Sequence, residues 1–567
     1  MVTSTEPSGG AGWRAALRRR VATVVSPATA TPFALGVGVA VMVGALFRLV
    51  HLLDQIPFHD EWHALDAVVN LGFRAIATTF GANDHSIPFT LYFEALARTV
   101  GLEELGYRAP FALAGCAVVA VLPFAVRRHV GGAAALAFAW LLAISPILVF
   151  YGRTARPYAF TTMGAVLAVV LFLAYWGEGR RRCAAGFIAA TMLVGWALLV
   201  HLPFCLAPAA MAVGEGLWSR AARGVRRRRA VAVTLAALAG LALLCGLPLV
   251  HDWATLSAKA GDAAFGAHRR WPAVIAALGM AGRRVAWAHG ALALVGLLWL
   301  LRRRPRFTLA LLGACAAQVA AVIALEPRNA GAPLVLTRYL LPVVVVILLC
   351  AAVGLALLLG RVAGWSRLAA GALGAAALAV PLALGPLPEL LPGPSSFASS
   401  RLYFRAHYRA SVLRQWFADP PAIYRQLAST PPGRDTILEA PYSGRQVVPY
   451  GFYQALHRQR VVVGFTDGYC GRPTGGHLPT AGAPGLRFRH FLWLGDLGAI
   501  RRAGVRWVIL HRQPEDETPW PQKRHLGAFD FEPCLARFTA DAGPPVHVED
   551  RLAVFDLGAA EGTAGGD

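Results

Sequence analysis

Lysine is almost missing from this chain: Lys259 and Lys523 are the only two in 567 residues, so arginine supplies nearly all of the 54 basic side chains. Charge of either sign is sparse, at 15% of residues against 56% hydrophobic, and the apolar residues fall in blocks of membrane-spanning length. That balance excludes an ordinary soluble domain and points to a polytopic α-helical membrane protein. A formal net charge of +23 would suggest nucleic acid for a soluble chain. Here most arginines stand in short runs between apolar blocks, where they act as a topology signal, and no nucleic-acid partner is expected. Cysteine is scarce too. Cys116, Cys183, Cys205, Cys245, Cys315 and Cys350 lie in or beside apolar blocks without metal-ligand spacing and read as small core residues. Cys470 and Cys534 stand apart, and the sequence leaves open whether they are a disulfide or two thiols. The span centres carry almost no charge, and no internal repeat is visible. Both absences count against a transporter or a flippase of lipid-linked sugars.

Residues 1–31 form a basic tail, and the block that follows, about 32–53, is too long for a signal-peptide core, so it reads as an uncleaved first span. A polar loop over 54–105 has apolar residues at helical spacing, too interrupted to cross a bilayer, and is expected to lie along the membrane surface as helices. Apolar blocks then alternate with runs such as Arg180-Arg181-Arg182, Arg226 to Arg229 and Arg302-Arg303-Arg304. The count comes to about eleven spans, with every dense arginine run on one face, assigned inside. The N-terminus is then inside and the C-terminus outside. The acidic loop, the 151–157 turn, the 251–284 loop and the 326–337 loop share the outer face. Past a Pro/Ser-rich linker at residue 392, the composition shifts. Runs such as Thr436-Ile437-Leu438, Val461-Val462-Val463 and Val505 to Leu510, between helical stretches at 407–428 and 494–504, predict an extracytoplasmic α/β domain over 392–567 beyond a membrane domain over 32–391.

Chemistry is expected where the first span empties into Phe58-His59-Asp60-Glu61-Trp62-His63, followed by a second acidic knot, Asn83-Asp84-His85-Ser86. Carboxylates beside an apolar wall can act as a base, bind a metal or face water. A zinc protease is excluded by spacing, because the carboxylate must follow the first His directly in H-E-x-x-H. On the same face stands Tyr151-Gly152-Arg153-Thr154-Ala155-Arg156-Pro157-Tyr158. Its two arginines either snorkel to head groups or clamp a phosphate through paired donors. Arg338-Tyr339, preceded by Arg328, adds a third basic point, and Lys259 a fourth.

These residues resemble the polytopic GT-C glycosyltransferases, in the branch of the lipid A aminoarabinose transferases and protein O-mannosyltransferases. The likeness runs from Arg48 through Asp60-Glu61, Asp84 to Tyr92 and Gly106-Tyr107-Arg108-Ala109-Pro110, is densest at Ser145 to Tyr158, and returns at Arg338-Tyr339-Leu340-Leu341-Pro342. It implies transfer of a sugar from a polyprenyl-phosphate carrier to an acceptor hydroxyl on a lipid, glycan or protein, at the outer face of a bacterial plasma membrane. Asp60 would be the base, with Glu61 and Asp84 beside it and His85 on the acceptor side. Arg153, Arg156, Tyr158 and Arg338 would hold the lipid phosphate, with Lys259, Arg328 and Tyr339 as further donor contacts. Asp60, Glu61, Asp84 and His85 would suit a divalent cation or a metal-free base equally. Ser86-Ile87-Pro88 departs from the family's usual His-Pro-Pro. The competing expectation is a non-catalytic relative that binds glycan or lipid on the same fold.

Overall fold

The structure, a computed structural model, describes residues 32–57, 59–81, 85–218, 223–260, 278, 283–327, 333–391, 396–397, 402, 419–442, 447–466, 468–470, 482–512 and 530–558. Its helices are α1 (Pro32–Leu49), α2 (Trp62–Asn70), α3 (Phe73–Thr78), α4 (Ile87–Thr99), α5 (Glu104–Val130), α6 (Gly132–Ile144), α7 (Pro146–Arg153), α8 (Tyr158–Glu178), α9 (Arg181–Ala197) and α10 (Leu202–Trp218). They continue as α11 (Arg223–His251), α12 (Trp253–Ser257), α13 (Arg283–Arg303), α14 (Pro305–Leu325), α15 (Pro333–Tyr339), α16 (Leu341–Ala363) and α17 (Arg367–Leu384).

Among the described residues eight helices are long and apolar enough to cross a membrane, and the pair α6–α7, bent by 58°, makes nine. The break falls at Ser145-Pro146, where the proline has no N–H to continue the helix. The remaining two of the eleven expected spans correspond to α9 and α10, each of 17 residues. At 1.5 Å per residue each reaches only roughly 26 Å, short of a hydrocarbon core. Small residues let spans touch backbone to backbone. A Cβ at Gly296 of α13 would stand 1.9 Å from the Cys350 carbonyl oxygen, and one at Gly354 of α16 would stand 2.0 Å from that of Leu292. Arg338 and Tyr339, expected to open the tenth span, sit instead on the separate short helix α15.

The C-terminal region is a six-stranded mixed sheet of β1 (Thr436–Ala440), β2 (Arg460–Phe465), β3 (Phe491–Trp493), β4 (Val505–His511), β5 (His547–Val548) and β6 (Leu552–Asp556), in the order β3-β2-β1-β4-β6-β5. The first four pair parallel; β6 runs antiparallel to β4 and β5. Its helices are α18 (Ala422–Ala428), α19 (Val447–His457), α20 (Leu497–Arg502) and α21 (Phe531–Ala542). The expected helical stretch 407–418 lies outside the described residues. Strand alternation sorts the side chains: Leu438, Val462, Val508 and Leu510 pack with α21 and a disulfide between Cys470 and Cys534. Ile437, Val461, Val463 and Ile509 face the other way, into a core continuous with that of the membrane helices.

Candidate functional site

Pro57 ends the segment that leaves α1, and a short 3-10 turn, His59–Glu61, carries Asp60. The Asp60 carboxylate pairs with the Arg338 guanidinium, which arrives on α15 from 278 residues away. Both are partly open, at 18% and 14% exposure. Arg338 also donates to the Tyr339 hydroxyl at 2.9 Å and lies 4.9 Å from that ring's centre, and His63 Nε2 stands 3.8 Å from Asp60. Burial works against the Arg338 charge, but Asp60 first, then Tyr158, Tyr339 and Tyr151, outweigh it and hold the guanidinium well above its ordinary pKa. Tyr158 is in electrostatic reach of Arg338, Arg156 and Asp60, and its ring meets Tyr151 edge-on at 4.6 Å. Asp60, Arg156, Tyr158, Arg338 and Tyr339 are thus brought to one place.

The neighbouring carboxylate has a different setting. Glu61 is buried, accepts from the Ala155 amide at 2.7 Å and pairs with the fully buried Arg108 at 3.3 Å, while Tyr107 donates to its carbonyl at 2.6 Å. One carboxylate oxygen ties the first loop to the 151–158 turn and the other ties it to α5. Arg153, expected on a phosphate, is likewise turned inward: Nη1 donates to the Phe47 carbonyl at 2.8 Å, and Nε and Nη2 to Gln55 Oε1 at 3.3 and 3.1 Å. Arg48 donates to the carbonyls of Gly44, Leu142 and Ala143, its stem lying between Gly115 and Gly152. A buried guanidinium is tolerable only with such partners, so these arginines fasten α1 to α5, α6 and α7.

His85 is buried, with Nε2 3.3 Å from the Ile76 carbonyl. Ser86 adopts the left-handed region (φ 60°) and donates to the Ala197 carbonyl at 3.0 Å. Asp252, at the end of α11, accepts from the amides of Phe80 and Gly81 at 2.8 and 2.9 Å, and Lys259 adds a favourable charge to it. Lys259 therefore belongs to the clip that fastens the first loop. Asp84 and Arg328 lie outside the described residues, as does the His59 side chain. Among the described residues no group of three His, Cys, Asp or Glu side chains gathers as a metal site. Asp60, Glu61 and His85 have separate partners and do not form a joint donor set.

Several contacts had no counterpart in the sequence reading. The Leu53 carbonyl meets His490 Nε2 at 2.8 Å, the Gln55 carbonyl accepts from Arg108 at 2.6 Å, and the Pro57 carbonyl accepts from Trp62 Nε1 at 2.8 Å and the Tyr442 hydroxyl at 3.2 Å. Trp62 beside the acidic pair and Tyr107-Arg108 at the head of a span were visible signals; the reach of Tyr442 and His490 was not, because it crosses domains.

Fold and site together define a multi-pass membrane protein, its polar groups gathered where the helices meet a mixed sheet. Residues 84–248 match the family model described as dolichyl-phosphate-mannose-protein mannosyltransferase. The chain thus resembles the branch named from its motifs; the matched segment begins after Asp60 and ends before Arg338. No curated protein matches. Among solved structures, ArnT from Cupriavidus metallidurans in the apo state is similar at 14% identity, covering 93% of this chain and 98% of that one, with a TM-score of 0.44. The same protein bound to undecaprenyl phosphate gives 16% identity over the same shares and a TM-score of 0.40. The oligosaccharyltransferase AglB from Archaeoglobus fulgidus, in complex with an inhibitory peptide and a dolichol-phosphate, gives 12% identity over 85% of this chain and 70% of that one, with a TM-score of 0.45.

Proposed function

We propose that this chain is a membrane glycosyltransferase that moves a sugar from a polyprenyl-phosphate carrier to an acceptor hydroxyl, at the extracytoplasmic face of a bacterial plasma membrane. The observation that carries the reading is the partly open Asp60–Arg338 pair, with Tyr158 and Tyr339 beside it at the membrane helices' polar end. The matched family description, which names a lipid-phosphate sugar, supports the choice of donor class.

The chemistry follows from the two charges. A glycosyl phosphate needs little acid assistance, since its leaving group is an anion that Arg338 and Arg156 stabilise as charge develops on it. An arriving phosphate competes with Asp60 for Arg338. Asp60, released from its cation, becomes more basic as the acceptor hydroxyl must lose its proton. The acceptor oxygen attacks C1, the C1–O bond to phosphate breaks, and the proton passes to Asp60. Attack opposite the phosphate inverts the anomeric centre. Arg153, Glu61 and His85 act in the reading as fasteners of the loops that carry Asp60 and Arg156. The polyprenyl tail lies between spans.

Purified protein in lipid nanodiscs is offered a panel of radiolabelled polyprenyl-phosphate sugars with candidate acceptors, comparing wild type, Asp60→Asn and Arg338→Ala. The reading expects one donor to be consumed by wild type only, with Arg338→Ala also binding donor more weakly. Carrier lipid that binds while no donor is consumed, with all acceptor classes present, would instead make the chain a binding module on the same fold.

A further inference from the structure

Between α1, which ends at Leu49, and the turn that begins at His59 and carries Asp60, the chain runs through Leu53 to Pro57. Alternate carbonyls along them, at 53, 55 and 57, each receive a side-chain donor. The middle one is taken by Arg108 from the membrane helices; the outer two are taken by His490 and Tyr442 from the α/β domain. Between them the Ile56 amide donates to the Ser396 carbonyl at 2.9 Å, and Ser396 in turn donates from Oγ to Val461 of β2 at 2.9 Å. Trp62, just past the acidic pair, is stacked on Phe491 of β3 at 5.2 Å and 18°, and meets Tyr442 at 5.7 Å. The segment is therefore gripped along its length, largely from the domain whose role the family likeness leaves open.

We infer that the α/β domain is the clamp that sets the base, with Tyr442 as its positioning residue: it seats the 53–57 segment, and through it the Asp60 carboxylate against Arg338. The inference rests on Asp60 being the base and extends that reading to a region outside the matched family segment. Tyr442 touches no substrate in this scheme. It acts through the Pro57 carbonyl, and Trp62 shares the same acceptor from the other side. A base displaced by an ångström loses rate steeply, because proton transfer and attack must be aligned together.

The test uses the full chain in nanodiscs, as wild type, Tyr442→Phe and Tyr469→Phe. Phenylalanine at 442 keeps the ring contact with Trp62 and removes only the hydroxyl. Tyr469, bonded to Asp541 on the opposite face of the sheet, serves as the control for a general loosening of the domain. Hydrogen exchange across 53–63 is expected to speed up by about tenfold in Tyr442→Phe and to stay at the wild-type rate in Tyr469→Phe. In turnover assays Tyr442→Phe should lower kcat by about tenfold and leave the donor KM within about twofold. Unchanged exchange at 53–63, equal acceleration in both variants, or faster exchange with kcat intact would each overturn the clamp. Should the wild type consume no donor at all, the proposed activity falls, and the exchange comparison alone still decides whether the domain grips the segment.

Discussion

Removing one negative charge at position 60 and one at position 61 should have opposite effects, because the two carboxylates meet the protein differently. Asp60 is partly open and shares its charge with an arginine that has a second partner in Tyr339. Asp60→Asn keeps a hydrogen-bond acceptor there. It should leave the thermal midpoint nearly unchanged while lowering turnover by about 10²- to 10⁴-fold, the range of a lost general base. Glu61→Gln leaves the Arg108 cation fully buried with its counter-ion gone, which costs about 3–5 kcal/mol of stability. A melting experiment in detergent should show a large drop for the second variant and little for the first. The adjacency of two acids was legible in the sequence, but their division of labour was not. It depends on Arg108 and the Ala155 amide arriving from 47 and 94 residues away.

At the level of elements, the first loop is fastened to the end of α11 through Asp252. Burial tends to raise that carboxyl's pKa, but donors from Thr255, Phe80 and Gly81, with the Lys259 charge, outweigh it and leave the pKa below its ordinary value. The clip is therefore at full strength above the usual carboxylate range and is lost as pH falls through the depressed value. Protection of the Phe80 and Gly81 amides, corrected for intrinsic exchange, should hold from pH 8 to 5 and fade only below about pH 4. Asp252→Asn should lower that protection at every pH. A second element-level expectation concerns α13 and α16: alanine at Gly354 forces apart two backbones that now touch, so Gly354→Ala should lower the melting temperature by several degrees. Apolar blocks and arginine runs made the long helices legible. The bend at Ser145-Pro146 and the separation of α15 from α16 were not, since both blocks read as continuous spans when only hydropathy is counted.

Across the whole molecule, the α/β region is held together by its sheet and by the Cys470–Cys534 bond, which closes a segment 64 residues long. Reducing that bond should remove up to roughly 4 kcal/mol from the domain. A reductant is expected to lower its melting transition while the membrane helices keep their helical circular dichroism. Composition and strand-like runs announced this domain. Its contact with the first loop was invisible, because Leu53 and His490 stand 437 positions apart and neither belongs to a recognisable motif. That separation also has a consequence in time. A ribosome adding about 5–20 residues per second takes roughly 20 to 90 s to travel from one partner to the other. Throughout that interval the first loop is already made while the half of its grip that comes from Tyr442 and His490 is still unborn. A nascent chain on this plan completes its first loop long before the side chains of the α/β region that contact it exist.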